Sequence, residues 1–197
     1  MTFESSLTVT GTVSAKHSAL ISPKVPGVIE RIFVDEGDMV VQQKTKLFQT
    51  DKYNLEKAES ISVRQVDVAE AALQAEKEKL NHLKADSKKA EADYNRYKRL
   101  FMQDNAVSRN AFELQALRYK QASSAVEAGK ATVRLAEAQL AQAQNQLKIS
   151  RRDVSDSRVI SPISGVITDR FLEPGESATT ATPVLRIEKP DVLEISA

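Results

Sequence analysis

The chain of 197 residues contains no cysteine and no tryptophan, two histidines, six glycines and six prolines, and aromatic side chains make up only 5% of it. Without cysteine there is neither a disulfide scaffold nor a thiolate metal site, although the absence says little about compartment. His17 and His82 fall in different expected elements, too few for a zinc-type site, and three scattered methionines form no soft-metal cluster. Neither sign of charge dominates: 28 basic and 27 acidic residues leave +1, which removes the electrostatic case for nucleic acid. No apolar run is long enough to span a bilayer, and Met1-Thr2-Phe3-Glu4 lacks the basic and apolar regions of a signal peptide. No nucleophile stands beside a base and no glycine loop is shaped to cradle phosphate, so no enzyme and no cofactor is expected. Asp35, Glu36 and Asp38 cluster around Gly37 as residues of a hairpin turn.

What the chain does contain is a long 3.5-residue repeat. Leu55, Glu59, Ser62, Val66, Ala69, Leu73, Glu76, Leu80, Leu83, Ser87, Ala90, Tyr94, Tyr97 and Phe101 advance by alternating steps of three and four. The stepping returns in Tyr119, Ala122, Val126, Gly129, Val133, Ala136, Leu140, Ala143, Leu147, Ser150 and Val154, with Phe112 one heptad earlier. Such a repeat, free of proline and rich in Ala, Glu, Gln, Lys and Arg, specifies two coiled-coil helices. Each would be roughly 70 Å long and would have to project from any compact domain. The single break, residues 102–107, is short enough to make the helices antiparallel neighbours, with Asp104 and Asn105 closing the turn and Ser108 capping the second helix. Leu73, Leu80, Leu83, Leu140 and Leu147 are expected to hold the arms together. Gly129 on the seam predicts close approach opposite a bulky partner, and Glu59 and Glu76 locally weaken the seam.

Flanking the hairpin are short β-branched runs cut by turn residues. Residues 7–13, 19–22, 27–34, 39–41 and 46–50 read as strands, and residues 191–197 read as one more. The segment after the hairpin repeats the one before it: Ser22-Pro23 precedes Gly27-Val28-Ile29 as Ser161-Pro162 precedes Gly165-Val166-Ile167. Gly37 and Gly175 then stand ten residues beyond Gly27 and Gly165, and Leu47 and Leu185 ten beyond those. Two four-strand copies, each too small to bury its own apolar face, are expected to pack as a flattened β-sandwich with the hairpin inserted between them. Both ends read as strands cut short, so a trimmed piece of an exported protein is expected.

Pro26-Gly27-Val28-Ile29 with Glu36-Gly37-Asp38, and Gly165-Val166-Ile167 with Pro174-Gly175-Glu176, resemble the two halves of a biotinyl/lipoyl domain. Halves separated by a long helical hairpin resemble the periplasmic adaptors, or HlyD-type membrane fusion proteins. That resemblance implies an α+β fold: a split lipoyl-like β-sandwich over residues 18–51 and 158–189, a hairpin over 52–157 with its tip at 101–108, and strand stubs of an adjoining β-barrel at 1–17 and 190–197. It further implies a periplasmic protein associated with the inner membrane that bridges and does no chemistry, self-associated as a hexamer. Its partners would be an inner-membrane transporter of RND, ABC or MFS type and an outer-membrane channel of TolC type. Arg96, Leu100 and Ser108 are similar to the family's channel-docking residues, with the serine one position late. Two other readings stand beside this one. Thr50-Asp51-Lys52 resembles the modified lysine of a lipoyl or biotinyl carrier, although the second half-motif lies more than a hundred residues on; the last is a cytosolic coiled-coil scaffold.

Overall fold

The computed structural model describes residues 12–103 and 106–196. Most of the strand expected over residues 7–13, the turn residues Asp104 and Asn105, and Ala197 lie outside them. The architecture is α+β: among the described residues, eight strands in antiparallel sheets and two long helices, α1 Tyr53–Met102 and α2 Arg109–Asp156. Two compact units divide the chain, one built from residues up to Ala58 and from Ser150 onward, the other from Glu59–Ile149.

The first unit contains β1 Thr12–Ile21, β2 Gly27–Ile32, β3 Met39–Val40, β4 Lys46–Thr50, β5 Arg158–Ile160, β6 Gly165–Arg170, β7 Ser177–Ala178 and β8 Leu185–Ser196. Its sheets are ordered β1-β8-β6-β3 and β5-β4-β2-β7. The two sequence copies interleave, because each sheet takes two strands from each copy. Advancing every strand number by one copy turns the first order into the second. The main chain repeats the same exchange: Gly37 N donates to Ile167 O and Gly175 N to Ile29 O, both at 2.8 Å. Ile29 N in turn donates to Glu176 O at 2.8 Å and Ile167 N to Asp38 O at 3.0 Å. Ile29, Leu47, Phe48, Ile167, Leu185 and Ile187, all 0–1% exposed, form the centre of the core. Each contributes roughly 1.5–3 kcal/mol by leaving water.

Two strand expectations need revision. Residues 12–13 and 19–21 belong to one strand, Thr12–Ile21, and β8 passes through Pro190 without interruption. Proline lacks the N–H a ladder needs, but the β1–β8 register shifts between Ala15 and His17, opposite the stretch between Leu193 and Lys189. A bulge there absorbs the missing donor. Where the helices leave the sheet, Gln49 pairs with Arg158, and Thr50 N donates to Ser157 O at 2.9 Å. The chain thus departs and returns on neighbouring strands.

In the second unit α1 and α2 run antiparallel. Leu73 and Leu80 bury against Val126, Val133 and Ala136, with Leu83 and Leu140 covering the cluster. Gly129 is buried, and a Cβ there would stand 2.8 Å from Leu83 Cδ1 and 3.2 Å from Leu80 Cδ1. The glycine therefore admits two leucines. Leu147 does not join the cluster: it is half-buried. The first seam positions of this unit on α1 are Glu59 and Ser62, which offer no large apolar side chain to cover a leucine.

Candidate functional site

The region where the helices meet the break is built from aromatic residues. Tyr94 stacks on Phe112 with ring centroids 5.7 Å apart and on Tyr119 at 5.5 Å, and Phe101 lies parallel to Phe112 at 5.2 Å. All four side chains occupy seam positions of the heptad repeat, so the repeat aims them across the interface. Each such pair adds about 0.5–1.5 kcal/mol beyond area burial. Sequence reasoning placed these residues on the seam but did not single out their stacking. The available signal was the crowding of aromatics on either side of the break in a chain with so few.

The three expected docking residues divide into two groups. Arg96 is exposed, and its guanidinium pairs with the Asp93 carboxylate one turn earlier. Leu100 is half-buried, and a shallow groove brings it together with Arg96, Arg99 and Gln103 on one face of α1. That groove is mainly polar, with two guanidinium groups and an amide around Leu100. Leu100 O accepts from Ala106 N at 3.0 Å, which draws the chain into the turn. Ser108 is exposed and does local work: its Oγ accepts from Ala111 N at 3.2 Å, an N-cap on α2. Phe112 N also donates to Ser108 O at 3.2 Å.

Away from this region, Lys52 precedes α1. Its carbonyl accepts from Glu56 N at 2.8 Å and its ammonium lies 2.5 Å from Glu56 Oε1, while Asp51 Oδ1 accepts from Tyr53 N. The lysine thus stands at a helix start, not on a tight β-turn. At the other helix end, burial by itself would raise the Asp156 carboxyl, but hydrogen bonds and charge from Lys24 and Arg152 outweigh it and hold the group below its ordinary value. Those cations also offset an acid placed at a helix C-terminus. Glu76 is half-buried; its Oε2 lies 3.8 Å from Lys79 Nζ and makes no hydrogen bond among the described residues, which is the cost of a carboxylate on the seam. Among the described residues no group of His, Asp and Glu is arranged to hold a metal ion, and no helix is long and apolar enough to cross a membrane.

No protein-family model matches the chain. A stretch of 41 residues is 42% identical to the UPF0194 membrane protein in the asrC 5′ region of Acidithiobacillus ferridurans, covering 21% of this chain and 12% of that protein. Solved structures align over far more. The periplasmic adaptor protein EmrA matches with a TM-score of 0.51 and 18% identity, over 94% of this chain and 76% of its own. MacA from Actinobacillus actinomycetemcomitans gives 0.63 and 17%, over 94% of this chain and 53% of its own. A membrane fusion protein from Streptococcus pneumoniae R6 gives 0.61 and 17%, over 94% and 64%. The chain therefore spans a small part of its curated relative and between half and three quarters of these structures. These neighbours are adaptors, not enzymes, and at such identities the likeness is one of architecture: the chain has the fold of the periplasmic adaptor and membrane fusion proteins.

Proposed function

We propose that this chain is the adaptor segment of a tripartite export assembly, acting in the periplasm beside the inner membrane. It links an inner-membrane transporter of RND, ABC or MFS type to an outer-membrane channel of TolC type, and six copies assemble around the path. One observation carries this reading: a long antiparallel helix pair is inserted between two interleaved halves of one small β unit, an arrangement shared with adaptors of known structure. In this reading residues 18–51 and 158–189 are the lipoyl-like halves, and residues 1–17 and 190–197 lead into a β-barrel. The protein does no chemistry; it holds two membrane machines in register.

Docking falls to Arg96 and Leu100, whose shared groove sets charged and polar groups around one apolar side chain, and to Ser108 at the start of α2. Lys52, seated at a helix start and paired with Glu56, supports the adaptor over a swinging-arm carrier. Photo-crosslinkers placed at Arg96 and Ser108 in cells expressing the full-length protein test the assignment. Adducts with an outer-membrane channel are expected from both sites. Efficient crosslinking to inner-membrane or cytosolic proteins alone overturns it.

A further inference from the structure

Arg96 and Arg99 share one groove but not one electrostatic setting. Arg96 is tied to Asp93, three residues earlier, and the two charges cancel locally. Arg99 has Asn95, Arg96, Met102 and Gln103 at the spacings that meet along a helix face, so α1 offers it no carboxylate. It is exposed and pairs with no acid among the described residues. Lys98 and Arg118 likewise have no acidic residue three or four places away, and Arg118 lines the next groove along. Between Arg96 and Lys120 the sequence places six basic residues against two acidic ones, in a chain whose total is only +1. One of those two acids, Glu113, is taken by Arg109 at 2.8 Å. Uncompensated positive charge therefore collects at the end of the helix pair where the arms turn.

We infer, building on the docking reading above, that the channel meets this groove with carboxylates, and that Arg99 rather than Arg96 is the residue that takes them. A guanidinium holds a carboxylate through two parallel N–H donors. Gln103, one turn beyond Arg99, adds an amide donor, and half-buried Leu100 gives the aliphatic stem of an acidic residue a surface to lie on. At Arg96 an incoming carboxylate has to displace Asp93 and meets its charge. A second copy of this end is a poor occupant, because like charge would face like. An anionic lipid surface is the weaker match: Tyr94, Phe101 and Phe112 are stacked on one another across the arms and are not turned out to insert at a membrane. Charge of this kind also steers encounter, so docking weakens as salt rises.

A photo-crosslinker in place of exposed Met102, in cells expressing the full-length protein, reads docking as the yield of adducts with the outer-membrane channel. Arg99→Gln should lower that yield about tenfold, and Arg96→Gln less than about threefold. Asp93→Asn releases Arg96 and should recover part of the yield in the Arg99→Gln background. Raising sodium chloride while the purified protein is crosslinked to isolated outer membranes should lower the wild-type yield and change that of Arg99→Gln little. Glutamine is as good a helix former as arginine, and unchanged helical circular dichroism confirms that each variant is folded. Undiminished channel adducts from Arg99→Gln, an equal loss from Arg96→Gln, or no recovery with Asp93→Asn overturns the assignment to Arg99 while channel docking stands. No channel adduct from the wild type overturns the docking reading and this inference together. Cosedimentation with protein-free phosphatidylethanolamine–phosphatidylglycerol vesicles that Arg99→Gln abolishes overturns it in favour of lipid.

Discussion

Gly27 and Gly165 occupy equivalent places in the sequence repeat, yet alanine should be tolerated at one and not at the other. A Cβ on Gly165 would stand 2.3 Å from the carbonyl oxygen of Glu188 and 2.9 Å from Ile187 Cγ2. The first obstacle is backbone in the paired β8 strand, where Val166 is opposite Glu188, so relief requires the β6–β8 ladder to separate. Ordinary overpacking costs about 1–3 kcal/mol, and a clash with main chain belongs at or above the top of that range. A Cβ on Gly27 would meet Thr50 Cβ at 3.4 Å, an ordinary contact. Gly27→Ala should therefore gain about 0.5–1 kcal/mol, because alanine has less freedom to lose on folding. The two variants should differ by at least about 3 kcal/mol. Hydrogen exchange followed by mass spectrometry, read on peptides from β2, β6 and β8, reports the β unit separately from the helical signal. Equal protection in the two variants, or a destabilised Gly27→Ala, would refute the reasoning.

Leu80→Ala should cost about 2–5 kcal/mol and lower the melting of the helix pair, whereas half-buried Leu147→Ala should cost clearly less; thermal circular dichroism compares them. Phe112→Ala removes the ring that stacks on both Tyr94 and Phe101, so exchange should accelerate in residues 94–120 before it does elsewhere. The folded-state value of Asp156 lies below its unfolded one. Its pairing with Lys24 and Arg152 therefore stabilises the fold above the ordinary Asp range of about 3.9 and fades as pH falls through and below it. Because Lys24 is largely exposed the effect is below about 1 kcal/mol, and Asp156→Asn should flatten this part of an acid-denaturation curve.

The helices were legible because a heptad repeat is a local signal sustained over many turns, and Ser108 was legible as a cap because capping needs only the residues beside it. The strands could be placed, and the repeat exposed two copies, but nothing local says which copy a strand will pair with. The exchange of strands between sheets is set by contacts more than a hundred residues apart. The strand expected over residues 191–197 starts earlier, at Leu185, because the bulge that accommodates Pro190 is a property of two strands together. Gly27 and Gly165 look identical in sequence and differ only in how near the neighbouring backbone comes. In the tip region the sequence offered Arg96, Leu100 and Ser108 as a set. The structure puts the first two on one groove and gives the third a capping bond, and the aromatic stack between the arms emerges only when the helices are side by side.

The reciprocal bonds between Gly37 and Ile167 and between Gly175 and Ile29 carry a consequence for biosynthesis. Neither half of the β unit can mature alone, and the later half leaves the ribosome more than a hundred residues after the earlier one. Closing so long a loop from a disordered chain would cost on the order of 4 kcal/mol in entropy. Zippering of the two helices, whose contacts grow outward from the turn, removes most of that cost by delivering Thr50 and Ser157 to each other. Newly made chains should therefore become helical first, with the sheets forming last.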